Sequence, residues 1–92
     1  MEKAKDLIKK VLTITPEHRA YYLDTMGVVL LTQGRITESI TALNESIELL
    51  PKDNAALLAE ASDHLAKAYR AAGDGAKALE LEKSAASYRD RK

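Results

Sequence analysis

Side chains with the chemistry of a catalytic or metal-binding site are few in this sequence. It contains two histidines and no cysteine, which excludes a disulfide scaffold, a cysteine nucleophile and a thiolate metal site. His18 follows Glu17 near the start of a predicted helix, where a solvated position is typical. His64 lies four residues after Glu60 and directly after Asp63, and such a group can bind a metal. Because side chains four apart also meet on ordinary helix surfaces, we interpret the pair as surface and expect no metal or other cofactor.

Motifs of known enzyme chemistry are absent from the sequence. It has no G-x-S-x-G nucleophile elbow and no glycine-rich loop that would cradle a phosphate. Catalysis requires polar groups that converge in a pocket, and the sequence pattern does not supply them. We therefore predict that the chain is not an enzyme.

The composition favours one small helical domain. Alanine is frequent and proline occurs only at positions 16 and 51, which favours long helices over strands. Fourteen basic residues balance fourteen acidic ones, so the chain lacks the basic surface expected of a nucleic-acid-binding protein. The longest apolar run, Met26–Leu31, is far shorter than the roughly 20 residues of a membrane span. We expect no membrane insertion and a cytoplasmic location, or a periplasmic one if the chain is part of a longer exported protein.

Apolar residues recur at the i, i+3, i+4, i+7 spacing of a helix face along most of the chain. The breaks between these segments have local causes. Thr15 can cap a helix that begins at Pro16, and Gly34 and Gly73 can end helices in the left-handed conformation. The sequence therefore predicts five helices, at about 2–13, 16–33, 36–49, 53–72 and 75–89.

Several sequence features repeat along the chain. Gly34-Arg35 and Gly73-Asp74 lie 39 residues apart, and the two prolines lie 35 residues apart. Small residues occupy matched places at Ala4, Ser39 and Ala78. Repetition with such a period is typical of helical repeat proteins.

The repeated pattern resembles that of the tetratricopeptide family. Leu23-x2-Met26-Gly27-x2-Leu30 is similar to the W-x2-L-G-x2-Y pattern of that family. The stretch 23–27 also resembles a subtype common in long bacterial tetratricopeptide proteins. A second copy of the family pattern is similar through Ser62, Leu65, Ala66, Tyr69, Ala78 and Ala85. The second half of an earlier copy is similar through Ala4, Ile8, Val11 and Pro16.

The resemblance implies an all-α fold, a right-handed superhelical stack of antiparallel helical hairpins (an α–α solenoid) with about five helices. Residues 1–16 would form the second half of a repeat and residues 17–53 a full repeat. Residues 54–92 would form a second full repeat with a lengthened first helix and a C-terminal cap. The chain would then be the C-terminal part of a larger assembly or adaptor protein.

Small residues in this pattern imply close helix packing. Gly27 would approach Ser39 within the first full hairpin, and Ala66 would approach Ala78 within the second. The pattern departs from the family at Glu82, where a large apolar residue is expected. The extra residues of the last repeat are rich in helix formers, so we expect an added helical turn that packs leucines 57 and 58 against leucines 49 and 50.

In the tetratricopeptide family the first helix of each repeat lines a concave groove that binds other proteins. By this resemblance, a partner peptide or helix would contact Tyr21, Asp24, Val28, Leu31, Glu60, Asp63, Lys67 and Arg70. The alternative is that a neighbouring helix buries the apolar members of this set. Family members that grip the C-terminal carboxylate of chaperone tails use Lys, Asn and Arg along the groove. At the corresponding places this chain has Asp24, Val28, Glu60 and His64, and the two acids would repel that ligand, so we do not expect it to bind such tails.

The function predicted from these features is a non-catalytic protein–protein interaction module whose partner is a protein or peptide. Two alternatives remain open. The chain could be a homo-oligomerisation element, with a homodimer formed through the N-terminal helix, or an accessory domain of a larger enzyme.

Overall fold

A computed structural model describes residues 15–90 of the chain. Within this range the chain is all-helical, with no β-strand. The helices are α1 (Pro16–Thr32), α2 (Ile36–Leu49), α3 (Ala55–Ala71) and α4 (Gly75–Arg89). The all-α prediction is confirmed for these residues, and the predicted bounds agree with the observed ones to within two residues. The helix predicted at 2–13, with the dimer surface assigned to it, lies outside the described residues.

Several helix ends lie where the sequence provides a local signal. The Thr15 side chain accepts a hydrogen bond from the backbone N–H of His18, and Pro16 occupies the first turn of α1. Asn54 and Asp74 cap α3 and α4 in the same way. Gly34 and Gly73, with φ of 79° and 86°, adopt the left-handed conformation that ends α1 and α3 and favours glycine.

The four helices form two antiparallel hairpins. Helix α1 packs on α2 and α3 packs on α4, while α2 contacts α3 and α1 touches α3 more lightly. The core between the hairpins consists of two buried clusters that share Ile47 as a neighbour. One cluster contains Ala20, Leu50, Leu58 and Ala61, and the other contains Leu43, Leu65 and Ala68. The expected packing of leucines 57 and 58 against leucines 49 and 50 is confirmed in the first cluster.

Two serine hydroxyls hold α1 and α2 together. Ser39 donates to the Gly27 carbonyl and Ser46 donates to the Ala20 carbonyl, each at 2.6 Å in a buried environment. A methyl group at Gly27 would lie only 2.5 Å from Leu43 Cγ, so the backbones approach closely at this point. The predicted contact between Gly27 and Ser39 is therefore confirmed, whereas the hydrogen bond from Ser46 was not anticipated.

The second hairpin repeats the first with an offset of 39 residues. Helices α1 and α3 each have 17 residues. The small residues that pack the first hairpin have buried counterparts at matched positions in the second. The matched pairs are Ala20 and Ala59, Gly27 and Ala66, Ser39 and Ala78, and Ser46 and Ala85.

Ion pairs connect α3 and α4 on the outside of the second hairpin. Arg70 pairs with Glu82 and Asp63 pairs with Arg89. The two partners on each helix are seven residues apart, as expected when neighbouring helices run antiparallel. Glu82 stands where the resemblance implies an apolar residue, and the ion pair with Arg70 explains why a charged side chain is accommodated there.

Candidate partner-binding groove

A shallow cleft lies where α1, α2 and α3 meet. Its cavity volume is about 20 Å³, which is room for about one water molecule. The cleft is therefore too small to enclose a small molecule, and a partner would lie across its mouth. The cleft is lined by Ala20, Tyr21, Asp24, Ser46, Leu50, Leu57, Glu60 and Ala61.

Three of the eight predicted groove residues, Tyr21, Asp24 and Glu60, line this cleft. Tyr21 leaves 67% of its surface exposed. An exposed aromatic side chain beside an apolar cleft is a common anchor for protein partners, because it buries a large area at little cost in conformational entropy.

His64 links α3 to α1 at the edge of the cleft. Its Nδ1 atom lies 2.9 Å and 3.1 Å from the two carboxylate oxygens of Asp24, 40 residues away in the sequence. The exposed fractions of the His64 and Asp24 side chains are 23% and 19%, so both are held in place. The hydrogen bond to Asp24 raises the pKa of His64 above 6.5, with a further rise from the Glu60 charge and opposition from burial and Lys67.

The cleft edge thus brings together three potential metal ligands. One ligand atom each of Asp24, Glu60 and His64 lies within 4.8 Å of the other two. Glu60 is exposed and makes no side-chain hydrogen bond within residues 15–90. The sequence placed Glu60 and His64 on one helix face, but the contribution of Asp24 from α1 was not anticipated.

The other predicted groove residues have varied surroundings. Val28 and Leu31 are half-buried, and Leu31 packs against the cluster of Leu43, Leu65 and Ala68. Part of the expected apolar floor is therefore also core. Lys67 is exposed on α3.

The charged side chains at the end of the predicted stripe are already engaged with α4. Asp63 pairs with Arg89 and Arg70 pairs with Glu82. A partner that used these two side chains would have to compete with the ion pairs of the second hairpin.

The cleft also contains residues that the sequence analysis did not assign to the groove. Leu57, Leu50, Ala20 and Ala61 provide its apolar lining. Their positions on helix faces were predictable from periodicity, but the opening between three helices depends on how the helices are offset along their axes.

No known protein family, curated protein or solved structure matches this chain. Within residues 15–90, no helix combines the length and the apolar character needed to cross a bilayer.

Proposed function

We propose that this chain is a non-catalytic protein–protein interaction module of the tetratricopeptide type. In this proposal its hairpins stack in a right-handed superhelix, and a partner peptide or helix lies in the groove between α1 and α3. The observation that carries the proposal is Tyr21, two-thirds exposed at the rim of an apolar cleft. Exposed aromatic and apolar surface beside a cleft is typical of interaction sites.

The repeated hairpin geometry supports the repeat architecture. Two hairpins with equal first helices and buried small residues at a constant offset of 39 are what successive units of one repeat require. In such a stack the equivalent helices of successive units lie side by side. Here α1 and α3 are in contact, and the cleft opens between them.

The charge at the cleft limits which partner segments fit. Asp24 and Glu60 are both at the cleft, and two carboxylates repel an acidic ligand. The partner segment therefore has no acidic residue at this point, and it places an apolar side chain beside Tyr21, against the half-buried Leu57. Chaperone tails that end in acidic residues remain excluded on the same ground.

A single pair of variants tests the proposal. Peptides selected from a random display library on the immobilised wild-type chain provide the probe, and fluorescence anisotropy gives their affinity. Tyr21→Ala removes the anchor at the cleft and should weaken binding by about 30-fold, which corresponds to a hot spot of about 2 kcal/mol.

Tyr22→Ala is the matched control, because Tyr22 is adjacent, of the same type and 51% exposed but does not line the cleft. It should change the affinity by less than about twofold. Circular dichroism verifies that both variants fold. Equal losses in the two variants, or no loss in Tyr21→Ala, would refute the proposed site.

Sedimentation of the wild-type chain over a range of concentrations distinguishes the homo-oligomerisation alternative. If the chain self-associates and Tyr21→Ala dissociates it, the partner in the groove is a second copy.

A further inference from the structure

Three side chains converge beside the groove from two different helices. Asp24 comes from α1, whereas Glu60 and His64 are one helical turn apart on α3. Their ligand atoms lie within 4.8 Å of one another. The cluster differs from a group of surface acids because it includes an imidazole nitrogen that is held against a carboxylate at 2.9 Å.

The distances are close to those around a bound transition metal. Ligand atoms at about 2.0–2.2 Å from a tetrahedral zinc ion are separated from one another by about 3.3–3.6 Å. The separations of His64 Nδ1 from the Asp24 oxygens, 2.9 Å and 3.1 Å, are a few tenths of an ångström shorter, so a small opening of this contact would admit the ion. Zn²⁺ would bind Nδ1 in place of its hydrogen, which a neutral imidazole then carries on Nε2 and an imidazolium releases to water.

Glu60 requires only a side-chain movement to complete the set. Its ligand atom must move by about 1–2 Å at most, which rotation about side-chain torsions provides without a backbone change. The side chain is exposed and has no hydrogen-bond partner within residues 15–90, so this rotation breaks no existing contact there.

The charge of the cluster favours a divalent cation. With a neutral imidazole, the two carboxylates carry two negative charges, and Lys67 is the cation whose charge acts on His64. A donor set of one nitrogen and two oxygens suits borderline transition metals such as Zn²⁺ more than Mg²⁺ or Ca²⁺, which prefer oxygen ligands alone.

We propose that Asp24, Glu60 and His64 bind one divalent transition-metal ion, with Zn²⁺ as the representative, across the α1–α3 groove. Three protein ligands leave a fourth position of a tetrahedral site open. Water or a donor atom of a bound partner can fill that position. The metal site does not depend on the proposed partner, because all three protein ligands belong to this chain.

Titration of the wild-type chain with Zn²⁺, followed by NMR of the imidazole nitrogens, tests the site directly. The sequence has only two histidines, and His18 lies near the start of α1, bonded to Thr15. His18 therefore serves as an internal control. We expect saturation at one equivalent, a large shift of the His64 resonances and no shift of those of His18, with no response to Mg²⁺.

Variants then identify the ligands by isothermal titration calorimetry. His64→Asn removes a ligand and should weaken Zn²⁺ binding by about 100-fold or more, since loss of even an outer-shell partner costs about 10–100-fold. His18→Asn is the matched control and should bind as the wild type does. Glu60→Gln should also weaken binding, whereas Glu48→Gln, at an exposed site on α2, should not.

Three results would overturn the proposal. These are no saturable binding up to about 1 mM Zn²⁺, a shift of His18 in place of His64, and wild-type affinity in His64→Asn. The NMR titration uses the unmodified chain, so the proposal stays testable even if a variant is poorly folded.

Discussion

At Gly27 the close packing of α1 on α2 leaves no room for an added methyl group. A Cβ atom there would lie 2.5 Å from Cγ and 2.7 Å from Cδ2 of Leu43. Leu43 is fully buried and packs against Leu65 and Ala68, so its side chain has little room to retreat. Moving the helices apart instead would lengthen the buried hydrogen bond from Ser39 to the Gly27 carbonyl.

Two effects of opposite sign determine the result of Gly27→Ala. Alanine has a higher helix propensity than glycine by about 1 kcal/mol. Overpacking a tight core costs about 1–3 kcal/mol, and weakening a hydrogen bond costs a further 0.5–1.5 kcal/mol or so. Because Leu43 is held on several sides, we expect the steric cost to prevail, with a net destabilisation of about 1–2 kcal/mol.

Urea denaturation followed by circular dichroism measures this change, with Gly75→Ala as the matched control. A Cβ at Gly75 meets no atom within 4 Å, so this substitution should stabilise the chain by about 0.4–1 kcal/mol. In the double variant with Leu43→Ala the clash is absent, and Gly27→Ala should no longer destabilise. If Gly27→Ala stabilises the protein as Gly75→Ala does, the close approach of α1 and α2 is refuted.

Two further predictions concern the polar contacts. The hydrogen bond to Asp24 raises the pKa of His64 in the folded chain, so protonated His64 stabilises the fold. This stabilisation is complete below the pKa that His64 has in the unfolded chain, and it is lost as the pH rises through the pKa in the folded chain. In the presence of EDTA, the Tm should therefore decrease as the pH rises from about 6 to about 8, near the ordinary pKa range of histidine. The same pH dependence in Asp24→Asn would contradict this assignment. The Arg89–Asp63 ion pair lies at the surface, so Arg89→Ala should lower the Tm by less than Gly27→Ala does. High salt should remove the difference in Tm between Arg89→Ala and the wild type. A larger decrease in Tm that does not depend on salt would show a packing role for Arg89.

The helix boundaries could be predicted from the sequence because their causes are local. Thr15 and Pro16 begin α1 through contacts within one turn, and Gly34 ends it through its own backbone conformation. Gly27 and Ser39 could be paired because the repeat pattern sets the register within a hairpin. Such signals involve residues that are close in sequence or that repeat at a fixed period.

The polar contacts between helices could not be predicted in the same way. Periodicity shows which residues share a helix face, but it does not give the rotation and axial offset of one helix relative to another. The contact of Asp24 with His64 spans 40 residues and depends on both quantities. The ion pairs of Asp63 and Arg70 with α4, within the second hairpin, depend on them as well. They engage two charged side chains that the helix pattern alone had assigned to the groove.

A footprint of a bound peptide on the chain tests the central proposal most directly. The probe is a display-selected peptide, and the measurement is the change in amide chemical shifts of the ¹⁵N-labelled wild-type protein. We predict that the largest changes lie on α1 and α3 around Tyr21, Asp24 and Glu60, with small changes on the exposed face of α4 around Leu79. A footprint centred on Leu79 and the outer face of α4, with α1 unaffected, would contradict the proposed groove.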